Sequence, residues 1–392
     1  MAVIDLSTRD LHVLNPLAAE LWLQLHEAPT ELAAIAAIWA ERYGIAPQTA
    51  LADARACVET WAAAGWIGTD SLGRVFIDRA EKPPLAASVT GATRPAAELS
   101  RRRLDLPGAA VDLGFGVTAA SPGPSLMDRA AGLFYGIPER PPEDPRHAAD
   151  VALVLDGERH LVGENACWTV FDDQQAALGA LIRAVYRAAY PDDPAFVMLH
   201  AAALVAPGSH DLTVFPGISG AGKSTLTAFL VARGWGYATD DFIALTRPVA
   251  GRGPVLLPMP NAVSIKQGSL ALLEPLYPNL PALPPVTYGG KTGRFLPIDR
   301  AAHVASPLPV GRLVFPRYVP GASPRLDPLP KGAALLGLVE ASFSAESEDG
   351  PDGFDPLFDW LERTATFSLV YDDLEEARRC LQALTDTPAS AR

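Results

Sequence analysis

One octapeptide limits what this chain can fold into more than any other part of it. Gly217-Ile218-Ser219-Gly220-Ala221-Gly222-Lys223-Ser224 satisfies G-x-x-x-x-G-K-[ST] at every fixed position. The β-prone run DLTVF precedes it, and the helix-prone run STLTAFLVARG follows and ends at Gly234. Strand, loop and helix in that order form a phosphate-binding unit, which needs an α/β core with further strands beside it. Each residue type has a reason. The glycines let successive N–H groups turn inward toward phosphate oxygens. The helix adds its positive end. Lys223 reaches the β and γ phosphates, and the Ser224 hydroxyl can ligate Mg²⁺. The expected nucleotide contacts are therefore Gly217, Ser219, Gly220, Ala221, Gly222, Lys223, Ser224 and Thr225.

The flanks supply the rest of an α/β core. FVMLHAAALVA reads as a strand before the loop, and WGYATDDFIAL as a strand after its helix. Asp240 and Asp241 sit in the second of these. Two carboxylates at a strand end allow two roles, one near a metal ion and one accepting a proton from an attacking hydroxyl. His200, alone in the first strand, reads by position as a core histidine. Lys266, Arg294 and Arg317 lie in loop-rich sequence where any of them could clamp phosphate oxygens. The other histidines show no metal spacing.

The remainder of the chain reads as separate units. Residues 1–80 predict three helices, one opening at Asn15-Pro16, one capped by Thr30 and ending at Gly44, and one starting near Pro47. A hairpin follows over WIGTDSLGRVFID, so this part is a winged-helix module. Residues 81–102 are rich in Pro, Ala, Ser and Thr and predict a linker. Residues 103–392 form the second domain, with its nucleotide core at about 196–335. It holds a hairpin around Asp156-Gly157 and a helix capped by Asp172 or Asp173. Residues 250–335 predict short strands and loops, 345–355 an exposed acidic loop, and the end a strand plus a helix capped near Asp372 or Asp373.

Composition narrows the partners. The chain has 392 residues, 49% apolar and 20% charged, enough for a sizeable core in more than one domain. A formal net charge of -13 disfavours nucleic-acid backbones and anionic lipid surfaces. Cys57, Cys167 and Cys380 are scattered, which fits neither a zinc site nor a disulfide framework. The start MAVIDLSTRDLHVL lacks a signal-peptide pattern, and no apolar run reaches the length of a membrane span. A cytoplasmic protein is expected.

The stretch LHAAALVAPGSHDLTVFPGISGAGKSTLTAFLVARGWGYATDDFIAL resembles the HPr serine kinase/phosphorylase superfamily, in its branch from peptide-modification gene clusters. LPMPNAVSIKQGSLALL and VGRLVFPRYVPGASPRLDPLP are also similar to that branch. The resemblance implies an ATP- and Mg²⁺-dependent kinase on an HPr-kinase-like α/β fold. It implies that Asp240 is the base toward the substrate hydroxyl, assisted by His200, that Asp241 and Ser224 attend the metal, and that Lys266 contacts phosphate. One departure is clear. Where the bifunctional enzymes carry E-[IV]-R-G-[LI]-G, this chain has TRPVAGRGPVLLPMP, so neither phosphorolysis, nor HPr as substrate, nor one of the Mg²⁺ ligands is implied. Relatives often form hexamers, which leaves a homo-oligomer open. Residues 1–80, through VLNPLAAELW, ERYG and WAAAGWIG, are similar to PqqD-like modules that hold the leader of a ribosomally made peptide as an added edge strand. Together the two resemblances imply a Ser/Thr kinase of a precursor peptide. The alternatives are a kinase of a small hydroxylated metabolite and a nucleotide-switched peptide chaperone.

Overall fold

The structure, a computed structural model, describes residues 2–5, 10–13, 16–27, 29–63, 66–70, 74–77, 89–119, 125–141, 149–193, 195–218, 220–248, 253–288, 291–345 and 355–386. Contacts divide the chain into two compact units, Met1–Leu85 and Ala86–Arg392.

The first unit has an antiparallel pair, β1 (Ala2–Asp5) and β2 (Asp10–Val13), then α1 (Pro16–Glu27), α2 (Leu32–Tyr43), α3 (Pro47–Ala63) and the hairpin β3 (Ile67–Thr69) and β4 (Val75–Ile77). Leu21, Ile35, Trp39, Ala50 and Trp61 form its core, and Trp22 meets Trp61 edge-on at 5.0 Å between ring centroids. Gly44 closes α2 in the left-handed conformation. Thr30 does not cap α2. Its backbone exchanges two 2.9 Å hydrogen bonds with Val75, so it ties the helices to the hairpin, and Glu31 takes the cap position without a side-chain bond.

The second unit begins with a six-stranded sheet. Its strands are β5 (Val89–Thr90), β6 (Ser100–Asp105), β7 (Ala110–Ala119), β8 (Ala149–Asp156), β9 (Arg159–Glu164) and β10 (Cys167–Phe171), in the spatial order β5-β10-β9-β8-β7-β6. Parallel strands β7 and β8 are joined across α4 (Ser125–Leu133), and α5 (Gln174–Ala189) follows β10. The Asp173 carboxylate accepts from the Ala176 N–H at 2.7 Å and caps α5. The expected linker is shorter than its composition suggests. Residues 81–88 lie outside the described residues, but β5 pairs with β10, and Ala92, Ala97 and Leu99 pack on Trp168 and Ala152 over the sheet's outer face.

The core sheet comes next. Its strands are β11 (Ala195–Leu199), β12 (Ala201–Val205), β13 (Leu212–Pro216), β14 (Gly236–Thr239), β15 (Ile243–Thr246) and β16 (Val255–Leu257), with α6 (Lys223–Val231) after β13. A small sheet of β17 (Val263–Lys266), β18 (Val286–Tyr288) and β19 (Lys291–Leu296) adjoins one-turn helix α7 (Leu270–Leu273). Then come β20 (Leu308–Tyr318), β21 (Arg325–Pro328), α8 (Lys331–Glu340), β22 (Ser342–Ala345), α9 (Asp355–Arg363), β23 (Ala365–Tyr371) and α10 (Leu374–Asp386). The main path of this ten-stranded sheet is β14-β12-β13-β20-β16-β15-β11-β22, with β23 parallel to β20 and β21 paired to β23. Asp373 caps α10, accepting from the Glu376 N–H at 2.8 Å. Most of the expected acidic loop, 346–354, lies outside the described residues.

Two expected strands are each divided. FVMLHAAALVA breaks at His200 because β11 pairs with β15 and β22, whereas β12 pairs with β13 and β14. WGYATDDFIAL breaks at Asp240-Asp241, where Asp241 adopts φ 72°. Helices cover the sheets on both sides. α4 and α5 lie between the six-stranded sheet and Met198, Ala244 and Leu257 of the core sheet. α6 and α10 pack around Phe215, Val314 and Leu369, and α8 and α9 around Val214, Leu313 and Leu256 on the opposite face.

Gly132 shows how tightly α4 is seated. A Cβ there would run into the ring of Phe295, which is 6% exposed in the same core. Alanine inside a helix normally gains about 1 kcal/mol over glycine, but overpacking costs about 1–3 kcal/mol. Gly132→Ala should therefore lower the urea midpoint without changing the slope of the transition.

Candidate active site

The loop leaves β13 at Gly217 and enters α6 at Lys223. Gly217, Gly220 and Gly222 take φ values of 155°, 103° and 92°, a region that L side chains avoid. Ser219 lies outside the described residues. Neighbours hold the loop by its carbonyls. The Tyr318 N–H donates to Ala221 O at 3.2 Å, and the Tyr371 hydroxyl to Gly222 O at 3.2 Å. Lys223 is 5% exposed and curls back to donate to Gly217 O at 2.5 Å and Ile218 O at 3.1 Å. Burial pulls its ammonium below the ordinary lysine range, Asp240 and Asp241 oppose that, and Lys266 adds to it. The Thr225 hydroxyl is 2.7 Å from that of Ser269.

The acids sit where β14 ends. Asp240 is fully buried, and neither carboxylate oxygen has a well-formed hydrogen bond. Burial raises its pKa to about 6 and the charge of Asp241 adds to this; the approaching Ser224 hydroxyl, Lys223 and His200 pull the other way. Its backbone is held instead. Asn261, itself fully buried, donates from Nδ2 to Asp240 O at 2.7 Å and accepts at Oδ1 from the Thr239 hydroxyl at 2.8 Å and the Asp240 N–H at 3.2 Å. Asp241 behaves differently. Burial alone would raise it, but the hydrogen bond and charge of His200, with Arg129 and Lys223 beyond, hold it below the usual carboxylate range. His200 Nδ1 lies 3.0 Å from both Oδ1 and the carbonyl oxygen of Asp241.

Lys223, Ser224, Asp240, Asp241 and His200 thus meet in one place. Lys266 is near enough for both acids to act on its ammonium, which burial and Lys291 lower. His200, read from position as core, instead orients Asp241, not Asp240. Arg294 is directed elsewhere. The register pairs it with Ile265 and pairs Lys266 with Gly293, so Arg294 and Lys266 leave opposite faces of the small sheet. Its guanidinium donates to Leu283 O at 3.0 Å and Gln267 Oε1 at 3.3 Å. Arg317 is exposed near the end of β20. Sequence reasoning missed Asn261, Arg129, Tyr318 and Tyr371. None carries a local signal, since each reaches the site only through strand pairing or helix packing.

Residues 1–67 match the PqqD family model, described as coenzyme PQQ synthesis protein D. A matching solved structure is the Hpr(Ser) kinase/phosphatase from Coxiella burnetii. It is 14% identical, with 48% of this chain and 97% of that chain covered and a TM-score of 0.23. No curated protein matches the chain. Among the described residues, no helix is long and apolar enough to cross a membrane.

The buried Asp240 charge has a stability consequence. For an acid raised from 3.8 to about 6 on folding, ionisation opposes folding above about pH 6 and has no effect below about pH 4. Asp240→Asn removes that charge. Urea unfolding should show the variant more stable than wild type at pH 8, by an amount on the order of 1–3 kcal/mol, with the advantage gone below about pH 4.

Proposed function

We propose that the chain is an ATP-dependent kinase that phosphorylates a Ser or Thr hydroxyl of a ribosomally made precursor peptide, held by its leader on residues 1–80. The observation that carries this reading is the unpartnered, fully buried Asp240 carboxylate beside the phosphate loop, with a pKa of about 6. A general base works best near the operating pH. Neither oxygen has a well-formed hydrogen bond that an incoming hydroxyl would have to displace, although both are shielded from solvent until the site opens.

The donor set fits a magnesium-bound triphosphate. Left-handed glycines and the first amides of α6 suit phosphate oxygens, as do the ammonium groups of Lys223 and Lys266. Asp241 and Ser224 supply the hard oxygens that Mg²⁺ prefers, and they are the residues that would hold it. Bound there, Mg²⁺ would neutralise charge on the phosphate oxygens. The split between the acids follows from their surroundings. Asp241, kept ionised by His200, suits a cation. Asp240, ready to take up a proton near neutrality, suits the alcohol. Asn261 fixes the peptide backbone from which Asp240 projects, so its carboxylate stays aimed without being bonded. The PqqD match over residues 1–67 supports a peptide as acceptor. A module that captures the substrate raises its concentration at the catalytic unit, to the order of mM for a short tether.

Mg-ATP and candidate precursor peptides taken from short open reading frames next to the one for this chain provide the test, with the phosphopeptide read by mass spectrometry. Asp240→Asn should slow transfer about 10²–10⁴-fold while ATP still binds. In the wild-type protein kcat/KM should rise with pH through about 6 and then level, because Asp240 acts deprotonated. A folded wild-type protein that makes no phosphopeptide would count against the reading.

Removing the first unit, residues 1–85, separates the acceptor classes. The peptide reading predicts a loss of at least about tenfold at low peptide concentration, the tether effect being up to 10²–10⁴-fold. Unchanged turnover would point to a small-molecule acceptor.

A further inference from the structure

Two tyrosines stand on the other flank of the phosphate loop from the acids. In the core sheet β13 lies between β12 and β20. Beyond β12 is β14, whose end leads into Asp240 and Asp241. On the opposite side β20 and β23 run parallel to β13 and end at Tyr318 and Tyr371. A nucleotide whose γ-phosphate faces the acids must send its nucleoside out toward the tyrosines. This rests on the phosphate-loop reading given above.

Tyr318 is built as a fixed surface. Its N–H holds Ala221 O, and a Cβ placed on Gly222 would come within 3.2 Å of its Cβ, so its backbone is part of the loop's support. Its ring lies edge-on to the buried Tyr371, with centroids 5.9 Å apart and planes at 66°. The Asp372 carboxylate acts on its hydroxyl and raises its pKa, and Asp372 Oδ2 is itself fixed by the Gly321 N–H at 2.8 Å. Yet Tyr318 remains 48% exposed. A large aromatic side chain held by its backbone and at its edge, but open to solvent beside the loop, offers an apolar face of the kind on which any nucleobase stacks.

We propose that Tyr318 is the stacking platform for the base of the bound nucleoside triphosphate, with Tyr371 and Asp372 as the positioning residues that set its ring. Selection of ATP over a bare polyphosphate then comes from this ring, whereas the loop itself recognises only phosphates.

The test compares Mg-ATP with Mg-tripolyphosphate, which has no base, by titration calorimetry on the full chain. Wild type should bind ATP more tightly than tripolyphosphate. Tyr318→Ala keeps the backbone bond and the Cβ that support the loop. It should weaken ATP about tenfold, equivalent to about 1.4 kcal/mol, and leave tripolyphosphate within about twofold. Tyr318→Trp should recover the preference, and its fluorescence should be quenched by ATP and not by tripolyphosphate. Equal losses for both ligands, no loss for either, or a tryptophan insensitive to ATP would overturn the platform. If wild type bound neither ligand, the phosphate-loop reading would fall and the platform with it. If wild type bound both equally, only the platform would fall.

Discussion

Burying Asp240 without a well-formed hydrogen bond is the constraint around which the second unit is arranged. A carboxylate taken out of water and left unbonded opposes folding, so the structure must prevent it from relaxing toward a partner or toward solvent. It does so through the main chain. Asn261 bonds both the N–H and the carbonyl of Asp240 and takes the Thr239 hydroxyl as well, while the Tyr237 hydroxyl donates to the Asn261 carbonyl at 2.6 Å. The next residue, Asp241, sits at φ 72°, a conformation that costs a non-glycine residue about 1–3 kcal/mol. Its contacts to His200 hold it there. One acid is held by its backbone and the other by its side chain, which is why adjacent residues in the same surroundings are shifted in opposite directions.

The site lies on a seam in the sheet. β11 and β12 are consecutive in the chain but occupy different halves of the sheet, and so do β14 and β15. Two of the direct crossings between the halves fall at His200 and at Asp240-Asp241, and these two touch through His200 Nδ1 and Asp241. β20 holds the halves together, pairing with β13 on one side and β16 on the other. Strand ends that diverge leave space no side chain of the sheet fills, the general reason ligands bind where strand order switches. Here the same divergence brings the loop, the acids and the histidine to one point.

The local parts of this arrangement were legible in the sequence. The loop, its flanking strand and helix, the cap at Asp173 and the left-handed Gly44 depend on neighbours a few residues away, and their signals are compact. The site's divided strands were not. FVMLHAAALVA and WGYATDDFIAL read as continuous because apolarity reports burial and cannot report a change of partner strand. Asn261 and Tyr318 were invisible for the same reason, since they reach the loop and the acids from 21 and 97 residues away in sequence. Arg294, expected from loop-rich sequence as a further phosphate contact, lies by the pleat of β19 on the opposite face from Lys266, a placement that spacing alone does not report.

The electrostatics of the site run against those of the whole chain. A formal charge of -13 repels a triphosphate at long range, but at physiological ionic strength that field decays over about 8 Å. Within this distance the loop presents amides and the Lys223 ammonium, and Lys266, on β17, is close enough to lower the basicity of Lys223. Lys223 meanwhile donates to Gly217 and Ile218 carbonyls, which a polyanion can replace with better acceptors. An arriving phosphate tail therefore relieves a repulsion between cations and gives a buried ammonium a charged partner. In the proposed nucleotide site, affinity would be set by short-range fit at the loop and not by steering from afar, which is how an acidic surface and such a site could coexist.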